Sequence, residues 1–142
     1  MHLIIDGHGA NPQSIQNEEL IFSLLDNYPA SIGMTKIAPP FVFRYVGVKP
    51  EDWGLSGFVL IAESHISIHT FPERRFVHID VFSCKDFNAD QVVADFQKRL
   101  ELETMDTFVL DRGLEYPHRV DKATKIVKQE RLQVIGSRRS RN

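Results

Sequence analysis

The stretch LIAESHISIHTFPE (residues 60–73) constrains this chain more than any other. Within it Ile66 and Ile68 alternate with His65, Ser67 and His69. A period of two is that of a strand with one buried face, whereas a helix would repeat every three to four residues. The alternation also bears on chemistry. His65 and His69 have the four-residue spacing of paired zinc ligands on a helix. On a strand, at a rise of ~3.3 Å per residue, their imidazoles stand about 13 Å apart. One metal with Zn–N bonds of ~2 Å cannot span that gap, so no metal site is expected here.

The rest of the chain supplies partners for such a strand. HLIID (His2–Asp6) reads as a first strand closed by the turn-rich GHGANP. Leu20, Ile21, Leu24, Leu25 and Tyr28 recur at helical spacing within a helix expected from about Ser14 to Tyr28, with Pro29 as its stop. FVFRYVGV, between Met34 and Lys49, is aromatic and β-branched and favours a strand between the loops APP and KPEDWG. Gly57–Ala62, His65–Thr70 and Phe76–Phe82 read as three more extended runs. Asn88 or Asp90 can cap a helix that places Val92, Val93, Phe96 and Leu100 on one face, and Thr107–Gly113 offers a last strand. The order predicts an α+β domain, a two-layer sandwich of a mainly antiparallel sheet with helices on one face. The open sheet face then needs a cover, and a second copy would make a homodimer with four layers, αββα.

With 142 residues, 42% of them hydrophobic, the chain suits one domain with an ordinary core. Its longest apolar runs fall far short of the ~20 residues of a membrane helix, and no signal-peptide pattern opens it, so a cytoplasmic protein without membrane contact is expected. The single cysteine, Cys84, excludes an internal disulfide and a multi-cysteine zinc site. Charge is uneven: residues 118–142 carry a net of +6 within an overall −2, which leaves −8 for residues 1–117. An acidic body suits a small cationic ligand better than nucleic acid. GSRRSRN at the end reads as a frayed basic tail.

Two chemistries remain for ESHISIH. Cys84 and His69 fall on neighbouring extended segments and could form a Cys–His pair, although no nucleophile elbow accompanies them; equally, both could be inert core residues. Alternatively, Glu63–Ser64 marks a junction between strands, where a strained turn can set the Ser64 hydroxyl against the Glu63 carbonyl, making the chain its own substrate.

SGFVLIAESHISIHTFPE followed by HIDVFSC closely resembles the prokaryotic-type S-adenosylmethionine decarboxylase proenzymes, pyruvoyl-dependent enzymes, over about His2 to Leu114. The resemblance implies a domain over residues 1–115 and a basic extension over residues 116–142. It implies that the Ser64 hydroxyl attacks the Glu63 carbonyl to form an ester, that β-elimination leaves dehydroalanine, and that hydrolysis yields a pyruvoyl group and ammonia. The products would be a β chain of residues 1–63 and an α chain of residues 64–142. His69 matches the processing base, Ser56 the serine that helps hold the oxyoxazolidine intermediate, and Cys84 the proton donor of decarboxylation. The implied cofactor is a pyruvoyl group made from Ser64, without a metal, which forms a Schiff base with the substrate amine and takes up the electrons released with CO2. The implied product is the aminopropyl donor for spermidine and other polyamines. Glu73 is expected at the ribose hydroxyls, and Trp53 at the adenine or the sulfonium, whose charge an aromatic face attracts.

The chain departs from the usual pattern at several points. Phe71 stands where a tryptophan is common, IDVFSCK replaces VDVFTCG, and GHGAN replaces a GC turn. KPEDWGLSG stands where the usual form is close to an aromatic followed by PQGVSG. The altered loops would lie where the substrate is recognised, which leaves arginine or ornithine as alternative substrates for the same machinery. An inactive regulatory paralogue is a further alternative, against which stands the joint presence of Ser64, His69 and Cys84.

Overall fold

In the computed structural model, which describes residues 1–112, the chain runs β1 (His2–His8), α1 (Pro12–Ile15), α2 (Glu18–Ser31), β2 (Thr35–Lys36), β3 (Phe41–Tyr45), β4 (Gly54–Ala62), β5 (Ser64–Phe71), β6 (Phe76–Ser83), α3 (Ala89–Leu100) and β7 (Thr104–Leu110). Short 3-10 turns at Pro50–Asp52 and Pro72–Arg74 precede β4 and β6. The strands form one sheet in the order β2-β4-β5-β6-β1-β7, with β3 also paired to β4. Every pairing is antiparallel. This is the expected α+β architecture of a mainly antiparallel sheet with a few helices.

Alternation sorts each strand's side chains to two faces. Ile66, Ile68, Val59, Ile61, Val77, Ile79, Val81, Leu3 and Ile5 point to one side and pack with Ile21, Leu24, Leu25, Tyr28, Val92, Phe96 and Leu100 of α2 and α3 in one core. Tyr28 rests its ring on Phe96 at 4.8 Å and donates its hydroxyl to Asp95 at 3.1 Å. The opposite face has no helix on it. Phe41, Phe43 and Phe58 there remain 51%, 57% and 38% exposed, and Phe108 55%, although all sit on paired strands.

The structure revises several boundaries. The helix expected from Ser14 is two helices, because Asn17 caps α2 by accepting the Leu20 N–H at 3.0 Å. Pro29 does not stop α2; it lies inside the last turn, where its missing N–H removes a single bond. The stop is Gly33, at φ 73°, after which the Met34 N–H returns to the Pro29 carbonyl at 2.8 Å. β4 begins at Gly54, three residues before the expected start, and β7 begins at Thr104. The expected last residue of that strand, Gly113, the end of the domain expected over residues 1–115, and the extension over residues 116–142 lie outside the described residues.

Candidate active site

Glu63 is the link between β4 and β5, which pair from Ile61↔Ser64 to Ser56↔His69. Ser64 has φ 149°, a conformation that L side chains rarely adopt and that persists only where surrounding contacts impose it. Here the surroundings are two ladders, since Ser64 is paired to Ile61 on one side and to Ser83 on the other. The preceding Ala62–Glu63 peptide is cis. Beyond Ser83 the chain leaves β6, and the Cys84 N–H donates to the Glu63 carbonyl oxygen at 3.3 Å. Glu63, Ser64 and Cys84 are therefore gathered at one end of the β5–β6 ladder. A hydroxyl follows the Glu63 carbonyl carbon in the chain, and an N–H dipole points at its oxygen, which suits nucleophilic addition there.

Ser56 and His69 form a second cluster. They are direct cross-strand partners, and Ser56 Oγ and His69 Nδ1 are 2.9 Å apart. The hydroxyl holds the imidazole through one nitrogen and leaves Nε2 for proton transfer. Tyr45, Gly54, Thr70 and Phe71 complete a hollow of about 250 Å³ around the pair. Buried Thr70 braces it from beneath, its Oγ1 accepting the Leu55 N–H at 3.0 Å.

The two clusters do not meet within one chain. Ser64 and His69 are five residue steps apart along β5, about 16 Å of strand. His69 is opposite His78 on β6, not Cys84. The Cys84–His69 pair that the sequence left open is not formed within the single chain, because register places the two residues toward opposite ends of the β5–β6 ladder.

Trp53 and Glu73 lie beyond the Ser56–His69 end and touch each other. Trp53 Nε1 donates to Glu73 Oε1 at 3.2 Å, and the Arg44 guanidinium lies 4.4 Å from the centre of the indole ring. Arg74, next to Glu73, is hydrogen-bonded through Nε to Asp52 at 3.0 Å. The tryptophan is half-buried and not part of the core, and one of its ring faces already carries a cation.

Residues without a functional signal in the sequence also stand on the helix-free face. His2 bonds Asp80 at 2.7 Å and His78 bonds Asp6 at 2.7 Å, both across strands. His65 abuts the edge of Phe82, with ring centres 5.8 Å apart. Its burial pushes the imidazole below its ordinary pKa, against the raising pull of Asp80 and with His2 and Arg112 adding to the depression. Only the pairing register brings these residues together. Among the described residues no group of three or more His, Cys, Asp or Glu side chains could hold a metal, and no helix is long and apolar enough to cross a membrane.

The sequence pattern of the S-adenosylmethionine decarboxylase family matches residues 1–113. An S-adenosylmethionine decarboxylase proenzyme of a Hydrogenobaculum species is 37% identical over 115 residues, 80% of this chain and 81% of the relative. The proenzyme of Archaeoglobus fulgidus is 34% identical over 113 residues, 79% of this chain and 96% of the relative. The crystal structure of the adenosylmethionine decarboxylase from Aquifex aeolicus superposes with a TM-score of 0.67 at 31% identity, covering 80% of this chain and 89% of that one.

Proposed function

This chain belongs to the S-adenosylmethionine decarboxylase family, and from that membership we infer that it is a carboxy-lyase that converts S-adenosylmethionine to its decarboxylated form, the aminopropyl donor for polyamines. Its relatives are named proenzymes, in keeping with activation by self-cleavage, which we place at Glu63–Ser64. One observation carries that placement: Ser64 sits at φ 149° directly after a carbonyl whose oxygen receives the Cys84 N–H.

The Ser64 hydroxyl adds to the Glu63 carbonyl carbon, and charge gathering on the oxygen meets the Cys84 amide dipole. The C–N bond then breaks, the Ser64 nitrogen takes a proton, and an ester joins Glu63 to the serine oxygen. Removal of the Ser64 Cα proton by His69 expels the Glu63 carboxylate, leaving dehydroalanine, whose imine tautomer is hydrolysed to a pyruvoyl group with loss of ammonia. That group, once formed, supplies the electron sink that decarboxylation of an α-amino acid requires. Cys84 holds the proton at Sγ that the carbanion carbon receives after CO2 departs. Ser56 keeps the His69 imidazole oriented through Nδ1.

The roughly 16 Å of strand between Ser64 and His69 call for a second copy. In a two-fold dimer, residues i and j meet as i with j and j with i. Two helix-free faces laid together in that way bring Ser56 and His69 of one chain to Ser64 and Cys84 of the other, twice per dimer. The exposed Phe41, Phe43 and Phe58 on β3 and β4, and Phe108 on β7 at the other edge of the sheet, are then covered, and large exposed apolar side chains of this kind mark an interface. The result is the αββα dimer, each site assembled from both chains. Glu73, which accepts the Trp53 N–H, is the carboxylate we assign to the ribose hydroxyls. Trp53 serves it as a support, since Arg44 occupies one face of its ring.

The purified protein is expected to run as two bands on a denaturing gel, the fragment from position 64 having a blocked N-terminus. An intact chain after prolonged incubation would sink the reading. Parallel assays of CO2 release from S-adenosylmethionine, arginine and ornithine then test the substrate, with S-adenosylmethionine expected to be the one consumed.

A further inference from the structure

Among the described residues just two polar side chains are buried, Thr70 and Ser83, and each adjoins one of the two clusters. Thr70 follows His69 and holds the Leu55 amide beside Ser56. Ser83 precedes Cys84, and neither the proton transfers nor the acyl shift described above uses its hydroxyl.

The surroundings of Ser83 account for every polar atom it has. It is the last residue of β6 and 0% exposed. Its N–H donates to the Met1 carbonyl at 3.1 Å, and its carbonyl accepts from the Met1 amine at 2.9 Å. Its Oγ accepts the Lys85 N–H at 2.9 Å, two residues on. A serine oxygen that takes an amide two positions later closes a small turn of its own and competes with continued strand. The residue enclosed by this turn is Cys84, whose N–H points at the Glu63 oxygen.

We propose that Ser83 is a positioning residue for self-cleavage: its buried hydroxyl fixes the turn over residues 83–85 and so holds the Cys84 amide on the carbonyl oxygen that becomes negative when Ser64 attacks. The inference rests on Glu63–Ser64 being the bond that breaks. Although Ser83 is the cross-strand partner of Ser64, its hydroxyl takes no part in the bond changes; it acts through the direction of one N–H. An amide helps an oxyanion only when it is aimed before the charge appears, so a turn free to reorient spends part of that help on ordering itself. Without Oγ the Lys85 amide also loses its acceptor, which favours other turn conformations.

The test compares wild type, Ser83→Ala and Ser83→Thr, made by cell-free translation and followed over time on denaturing gels, with thermal midpoints taken on the same variants in a Ser64→Ala chain that stays whole. Removal of a direct oxyanion donor costs ~10²- to 10³-fold. Loosening one is expected to slow Ser83→Ala by about tenfold, while Ser83→Thr, which keeps the hydroxyl, cleaves within about threefold of wild type. A purely structural hydroxyl would lower the midpoint without separating alanine from threonine in rate. Ser83→Ala cleaving as fast as wild type overturns the proposal, and so does Ser83→Thr cleaving as slowly as Ser83→Ala. An intact wild-type chain overturns the self-cleavage reading and this inference with it, an outcome distinct from the other two.

Discussion

The proposed mechanism uses Cys84 through two different atoms, an amide aimed at the Glu63 oxygen and a thiol. Substitution separates them. Cys84→Ala keeps the amide and loses Sγ, so it is expected to cleave yet to release CO2 from S-adenosylmethionine about a hundredfold more slowly, the lower end of what a positioned proton donor contributes. Full turnover by this variant would remove the thiol from the mechanism. His65 makes a prediction of another kind. Its folded imidazole resists protonation, chiefly because it is buried. The stabilisation is present above the ordinary imidazole value of about 6.5 and is lost as pH falls through the lower folded value, because the unfolded chain takes up the proton first. Urea unfolding of the uncleaved Ser64→Ala chain at about pH 7.5 and about pH 5.5 measures this. The wild-type His65 chain is expected to lose more stability on acidification than His65→Gln.

At the scale of elements, Gly54 of β4 faces the Thr70 carbonyl of β5 with no room for a side chain between them. A Cβ built on Gly54 would stand 1.6 Å from that oxygen. Gly54→Ala therefore has to push the strands apart two residues from Ser56. A loss of about 3 kcal/mol or more is expected in urea unfolding of the uncleaved chain, together with failure to cleave. This glycine also shows where the sequence misleads. It reads as the end of the KPEDWG loop, because nothing local says that a neighbouring backbone needs the missing side chain. β5 is legible at once, since Ile66 and Ile68 enter a core that every pairing of the strand shares. β2 is two residues long and carries no period. The end of α2 is misread from sequence because Pro29 is a strong local breaker, while the left-handed glycine that ends the helix comes four residues later. For the site, the family motif is legible in the sequence, and it is the motif that singles out Ser56, Ser64, His69 and Cys84 as the residues to which the proposed chemistry is assigned. The separation of those four into two clusters is not, for it depends on register. Ser83 and Thr70 read as ordinary strand residues, since burial of a hydroxyl leaves no mark on spacing.

For the whole molecule, the strand length between Ser64 and His69 makes a prediction no single-chain mechanism shares. On the proposed mechanism, neither a Ser64→Ala chain nor a His69→Ala chain is expected to cleave in a dimer of its own kind. Co-expressed, they share one site that combines Ser64 of the His69→Ala chain with His69 of the Ser64→Ala chain. The His69→Ala chain alone should then be cut, in up to half of the mixed population by random pairing; absence of any cut would place the base in the same chain as the serine. The topology also governs the fate of the two pieces once the bond is broken. With the chain divided after Glu63, the strand order β2-β4-β5-β6-β1-β7 assigns β4 to the first fragment, β5 and β6 to the second, β1 to the first again and β7 to the second. The two pieces are interwoven like the fingers of clasped hands, and neither can leave without unzipping ladders on both its sides. The proposed cleavage would thus sever a covalent link without creating a separable product, and a maturation step that is chemically irreversible would be mechanically silent to the fold.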